Sequence, residues 1–366
     1  MQKTFCFLKV AWIGYLIMSG SLSAQTKEST TDSCAVKTNK ILPIAFYTPE
    51  TRIGVGALFY KVFSSSKCDS SSQKSILQTY LDVTQNKQYA LENDWRLFAK
   101  QDKYMFTGRL DYTRFPEFFF GIGNNTMRSM KDLYSFDLIK LCTKNQKEIG
   151  ENWFLGVSNE LQYLFSVERN THIRQEDERS IGLNGYFING LGLILTLDKR
   201  NNVLNTTQGS FLEISGSSFH SILGNKFEFT KFTLDARKYY SIGKVSFGGQ
   251  LVMQFNNGQV PFRAMPGLGG ASNLRGYYRG RFRDNNMTLT QIEMRMPLFW
   301  RIGLSTFAGM GQVAARVNEF NPNEFKYIAG TGLRYLLNKN ENVNARLDIG
   351  FTKEGYGFYI VFAEAF

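Results

Sequence analysis

From Trp153 to Glu168 the chain alternates with a period of two. Trp153, Leu155, Val157, Leu161, Tyr163, Phe165 and Val167 fall on one parity; Gly156, Ser158, Glu160, Gln162, Ser166 and Glu168 fall on the other. Successive side chains of a strand point to opposite faces, so one face is apolar and the other polar, over a run longer than a globular strand usually reaches. Val245 to Asn256 repeats the pattern. Val343 to Thr352 does so as well, setting Val343, Ala345, Leu347, Ile349 and Phe351 against Asn344, Arg346, Asp348 and Thr352. The apolar face meets either a second sheet in a sandwich or lipid around a barrel, and alternation alone permits both. Length discriminates between them. Strands of ~10 residues or more, recurring over nearly the whole chain, suit the tilted strands of a membrane barrel. The fold class is therefore all-β, a transmembrane antiparallel β-barrel of about sixteen strands, from 41–47 through 131–142, 152–168 and 181–198 to 356–366, an even count as bacterial barrels require.

Composition agrees. The 366 residues include 32 Phe and 18 Tyr, heavy for a soluble domain and expected of aromatic girdles around an apolar band. Residues 1–24 open with Lys3 and Lys9, continue apolar and end in small residues before Gln25, the layout of a cleaved secretory signal. Beyond them no run approaches the ~20 apolar residues of a transmembrane helix. Residues 25–40, rich in Ser, Thr and Lys, read as a short disordered periplasmic leader, leaving 41–366 for the barrel. Of the four cysteines, Cys34, Cys68 and Cys142 remain after cleavage of the signal, odd in number and irregularly spaced, which selects no disulfide and no metal site. The formal charge of +12 is scattered along the chain, against a nucleic-acid groove. An exported basic chain more naturally meets the anionic phosphates of outer-membrane lipid and lipopolysaccharide.

Two stretches carry more than fold. Gly267 to Leu298 reads GLGGASNLRGYYRGRFRDNNMTLTQIEMRMPL. Its glycines at 267, 269, 270 and 276 let a loop fold back on itself, and the strand that follows places Glu293 on its polar face, where Arg275 can pair with it. A solvated hairpin is the bland alternative. At the end of the chain, Phe358, Ile360, Phe362 and Phe366 fall on one parity of a last strand. An apolar strand left as a bare edge is an aggregation hazard; closing it on the first strand removes the edge.

GGASNLRGY, the QIEMRMPL strand, LTLDKRNNVLNTTQG at 195–209 and the aromatic last strand together resemble the BamA/TamA superfamily, the bacterial surface antigen type of barrel. The resemblance covers about 41–366. It implies a sixteen-stranded outer-membrane barrel whose extracellular loop at about 257–287 folds into the lumen, with Arg275, Gly276 and Tyr277 as the lock and Glu293 as its first acid. The second acid should stand in an FDxG-like run, but that run is FAGMG here, with Gly309 where an aspartate is expected, so the lock is expected to have one anchor missing. A guanidinium keeps its charge and fits a carboxylate in two-pronged fashion, so Arg275→Ala should lower the yield or heat stability of the barrel. The resemblance also implies protein assembly, insertion or translocation at the outer membrane. The periplasmic POTRA modules of such proteins do not fit within 25–40, which points to the alternative of a non-catalytic channel, receptor or scaffold working with other outer-membrane or periplasmic proteins, while the retained loop motif keeps the assembly reading slightly ahead. His172 and His220 are isolated, no GxSxG elbow occurs and no GK[ST] follows GLGG, so no enzyme and no cofactor is expected.

Overall fold

The computed structural model describes residues 37–64, 74–169, 181–203, 205–338, 343–362 and 364–366. Among them sixteen strands build the wall: β1 (Lys37–Thr48), β2 (Arg52–Ser64), β3 (Lys74–Thr84), β4 (Tyr89–Ala99), β5 (Tyr104–Arg114), β6 (Asp132–Gly150), β7 (Trp153–Arg169), β8 (Tyr186–Asp198), β9 (Gly209–Phe219), β10 (Phe229–Ile242), β11 (Val245–Gly258), β12 (Asn286–Phe299), β13 (Ile302–Ala314), β14 (Lys326–Asn338), β15 (Val343–Thr352) and β16 (Gly355–Phe362). Each pairs antiparallel with the next, and β16 meets β1, closing the barrel. The residues of the signal and most of the leader, with Cys34, Cys68 and His172, lie outside the described residues. Cys142 is a free thiol on β6.

The alternation determines what faces where. Leu81, Leu193 and Ile292 are 58%, 67% and 63% exposed on the outer wall, part of an apolar belt that only lipid would cover. Their strand neighbours turn inward. Several boundaries differ from the sequence reading; β8, expected from 181, begins at Tyr186. β1 begins at Lys37, inside the stretch assigned to the leader. β6 runs on from 142 to Gly150, because Asn145 and Lys147, paired with the outward Val157 and Leu155, are polar on the outer face and erase the alternation without weakening the ladder. β16 stops at Phe362, four residues short of the end anticipated for the last strand.

The lumen is not uniformly polar. The connections 115–131 and 259–285 fold over and into the extracellular half. There Phe119, Ile122, Val260 and Phe262 pack with the inward residues Tyr134, Phe136, Leu164, Tyr186, Ile188, Phe219 and Phe229. A second apolar cluster joins Leu268, Leu274, Tyr277 and Phe282 of the loop to Met287, Leu289, Phe307, Val313 and Ile328 of the wall. The hydrophobic core of this barrel thus lies between its wall and its own loops.

Candidate functional site: the loop lock and the seam

The connection between β11 and β12 enters the lumen as a narrow ribbon, Gly267–Leu268 paired with Phe282–Arg283, and carries its tip to the far wall. Gly269, Gly270 and Gly276 have φ of 104°, 104° and 118°, values that a side chain disfavours. At Gly276 the need is also steric: a Cβ would lie 2.7 Å from Thr352 Cγ2 and 2.9 Å from the Gly350 carbonyl. The tip lies flat on a strip of wall without side chains, since a Cβ on Gly350 would meet the Arg275 carbonyl at 2.2 Å and one on Gly357 would meet Gly276 Cα at 3.0 Å. Tyr359 on β16 then staples the tip. Its hydroxyl accepts from the Gly276 N–H at 2.9 Å and donates to the Tyr277 carbonyl at 3.2 Å. Tyr277 is buried, its ring edge-on to Phe282.

Arg275 is fully buried. Its guanidinium donates to Glu293 Oε2 at 2.5 Å and to Asp348 Oδ2 at 2.7 Å, and stacks 3.5 Å from the Phe307 ring centroid. Such a desolvated, two-carboxylate arrangement adds cation–π attraction to charge-assisted hydrogen bonds. Asp348 corrects the expectation of a missing anchor: the second acid is present, supplied by the LDIG run of β15 and not by FAGMG on β13. Gly309 and Gly311 of FAGMG have another use, because Cβ atoms there would stand 3.1 and 2.9 Å from Leu274. The bare backbone makes room for the leucine beside the arginine.

The pair belongs to a larger buried cluster. Arg295 Nε donates to Glu293 Oε1 at 2.9 Å, and Arg334 reaches both acids, Glu293 at 2.9 Å and Asp348 at 2.5 Å. Arg346 donates to Asp348 at 2.7 Å and to the Ala271 carbonyl at 2.8 Å. Glu364 closes the periplasmic side, accepting from Arg334 Nε at 2.9 Å and from Asn344 at 2.8 Å. Four guanidiniums therefore share three carboxylates. At the β1–β2 turn, on the rim of the wall, the buried Glu50 accepts from the Arg279 N–H of the inward loop at 2.6 Å. Burial pushes its carboxyl above the usual range, and the hydrogen bond from Arg279 works the other way.

The seam between β1 and β16 is the other unusual place. A single ladder pair, Tyr47↔Ile360, joins these strands, against eight pairs between β15 and β16 and twelve between β1 and β2. Tyr47 also packs on Phe358, ring centroids 5.7 Å apart, on the outer side with Ile360. Residues 41–46 of β1 form no ladder pair with β16 among the described residues. The side chain of Phe362 is outside the described residues. The expectation that Phe366 shares the outer face with Phe358 and Ile360 is corrected: it is buried inside the barrel against Tyr239, and its carbonyl accepts from Arg295 at 3.1 Å. The physical reason is Glu364, which would face lipid in a straight strand and instead turns inward to the arginines.

Glu364→Gln weakens that grip, since a hydrogen bond to a charged group contributes about 1.5–3 kcal/mol. In an Ala365→Cys background the variant is expected to react with a membrane-impermeant maleimide roughly tenfold faster or more. Equal rates would mean that the tail is held by Phe366 alone.

The Omp85 superfamily domain matches residues 71–360. No curated protein matches. Among solved structures, the chain is similar to BamA from Haemophilus ducreyi lacking POTRA domains 1–3, at 14% identity and TM-score 0.58, covering 90% of this chain and 70% of that one. It is also similar to CdiB from Acinetobacter baumannii (12%, TM-score 0.54, 90% and 60% covered) and CdiB from Escherichia coli (10%, TM-score 0.57, 91% and 64% covered). At these identities the likeness is one of fold. The family match spans most of the chain, and it agrees with the inward loop and the BamA/TamA resemblance of the sequence: this chain belongs to the Omp85 superfamily.

Proposed function

We propose that this barrel acts, without catalysis, in the assembly, insertion or translocation of outer-membrane proteins, through a seam that opens between β1 and β16. The observation that carries this reading is the single ladder pair across the seam. A strand edge with unused backbone groups is a template on which an extended client segment can add, and most of β1 offers such an edge. The Omp85 barrel is an outer-membrane fold, which puts the edge where clients enter the bilayer. Separate periplasmic or outer-membrane proteins deliver clients to this edge.

A simple open channel is the weaker reading, because the two loops and their apolar clusters fill the extracellular half of the lumen. Depleting the protein in its host tests the proposal. Parallel loss of several unrelated barrels from the outer membrane is the expected result. Loss of one surface complex only would assign the chain to scaffolding instead.

A further inference from the structure

Among the described residues of the outer wall, a glycine on β9 interrupts the belt of apolar side chains and leaves a slot. Gly216 on β9 stands between its cross-strand partners Leu193 on β8 and Phe232 on β10, both exposed on the lipid-facing side. An added Cβ at Gly216 would find no atom within 4 Å. Leu191 and Leu193 form one side of the resulting groove, and the stacked rings of Phe232 and Phe255, 6.3 Å apart, form the other. Its volume is about 620 Å³.

The groove is polarised along its length. Towards the extracellular rim its lining changes to Ser218, Thr230 and Asn257. Above them part of the connection 315–325 leans outward: Phe320 sets its ring edge-on to Phe255, 6.4 Å away, and Val317 borders the slot. The exposed Arg316 precedes Val317 in this overhang, and its backbone N–H donates to the Glu319 carboxylate at 3.3 Å. Gly216 lies three residues before the end of β9 at Phe219, roughly 10 Å below the strand end, so the floor of the groove is at hydrocarbon depth and out of reach of a water-soluble partner.

We infer that this groove binds one acyl chain of an outer-leaflet lipid, with the ester or amide of that lipid at the Ser218, Thr230 and Asn257 rim. The site rests on the outer-membrane placement and not on the seam or on any client. An apolar slot that ends in hydroxyl and amide groups matches the chain of an amphiphile and the polar linkage that joins it to its headgroup. Bulk lipid would wet the belt everywhere alike, whereas the slot holds a chain against walls on two sides.

Photolabelling in nanodiscs made with a phospholipid carrying a diazirine on its acyl chain tests this. Adducts on peptides spanning 191–193, 216–218 and 230–232 should exceed those around the outward residues Leu81 and Leu91 several-fold. Gly216→Phe, which fills the slot from an unstrained backbone position, should bring them down to the level of that reference. If Gly216→Phe fails to show the heat-modifiable band of a folded barrel, Val317→Ser, on the exposed overhang, replaces it with the same expected loss. Uniform labelling around the wall, or enrichment that survives both substitutions, would overturn the site.

Discussion

Asp348→Ala is expected to cost the barrel more than any other single change in the lock, and more than Arg275→Ala. Asp348 accepts from Arg275, Arg334 and Arg346. Without it, four buried guanidiniums are left with Glu293 and Glu364, in a cluster that already carries one cation too many. Removing one partner of a buried ion pair typically costs about 3–5 kcal/mol, because the other charge stays desolvated. Arg275→Ala acts in the opposite sense. It removes the excess cation, and both acids keep partners: Glu293 retains Arg295 and Arg334, while Asp348 retains Arg334 and Arg346. What it loses is the stacking on Phe307 and the anchor of the loop tip. Heat-modifiability in detergent gels should therefore rank the two, Asp348→Ala unfolding at the lower temperature. Limited proteolysis should instead cut both variants between residues 270 and 280. An Asp348→Ala barrel that melts with the parent would show that water in the lumen already screens the cluster.

The contrast explains how far the lock could be read in advance. Arg275 and Glu293 are close in sequence and share a strand–loop pattern, so periodicity and glycine content bring them together. Asp348 lies 73 residues from Arg275, and only closure of the wall brings β15 beneath the loop tip. Its signal was nonetheless present: LDIG sets an acid two positions before a glycine, and that glycine is what lets the Arg275 carbonyl approach. FAGMG drew attention because it occupied the expected position, yet its glycines answer to the shape of Leu274. The wall itself was legible wherever one face is apolar and the other polar. It became illegible at the lower end of β6, where polar residues line both faces, and in the upper lumen, where Phe136, Ile188 and Phe219 are inward and apolar because loops, not water, cover them. The end of β16 was misread for a related reason. Alternation describes a strand that continues, and it cannot register Glu364 being drawn aside by Arg295 and Arg334 on two other strands.

Joining β1 to β16 covalently is expected to abolish function while leaving the barrel folded. Tyr47 and Ile360 are direct ladder partners, and opposed residues of an antiparallel pair have Cα atoms about 4.5–5.5 Å apart, within the span a disulfide bridges. Tyr47→Cys with Ile360→Cys, in a chain whose Cys34, Cys68 and Cys142 are replaced by Ser, should form the bond under mild oxidation, seen as a mobility shift reversed by reductant. Among the described residues every other neighbouring pair of wall strands shares eight or more ladder pairs, so the bond fixes the sparsest junction. If clients add to the β1 edge, oxidised cells should show the same loss of unrelated outer-membrane barrels as depletion does, and reductant should restore them. The reduced double variant is the control for the lost Tyr47–Phe358 contact. Should oxidised cells assemble their outer-membrane proteins normally, the sparse pairing is a static feature of the wall, and the client path must lie elsewhere. The tail adds a directional test. With Glu364 held by Arg334 and Asn344, the segment that could continue β16 alongside β1 is kept inside the lumen, so Glu364→Gln should favour its return to the wall and slow client addition without any disulfide. A staple that abolishes assembly and a tail release that slows it would together assign the activity to the edge of β1.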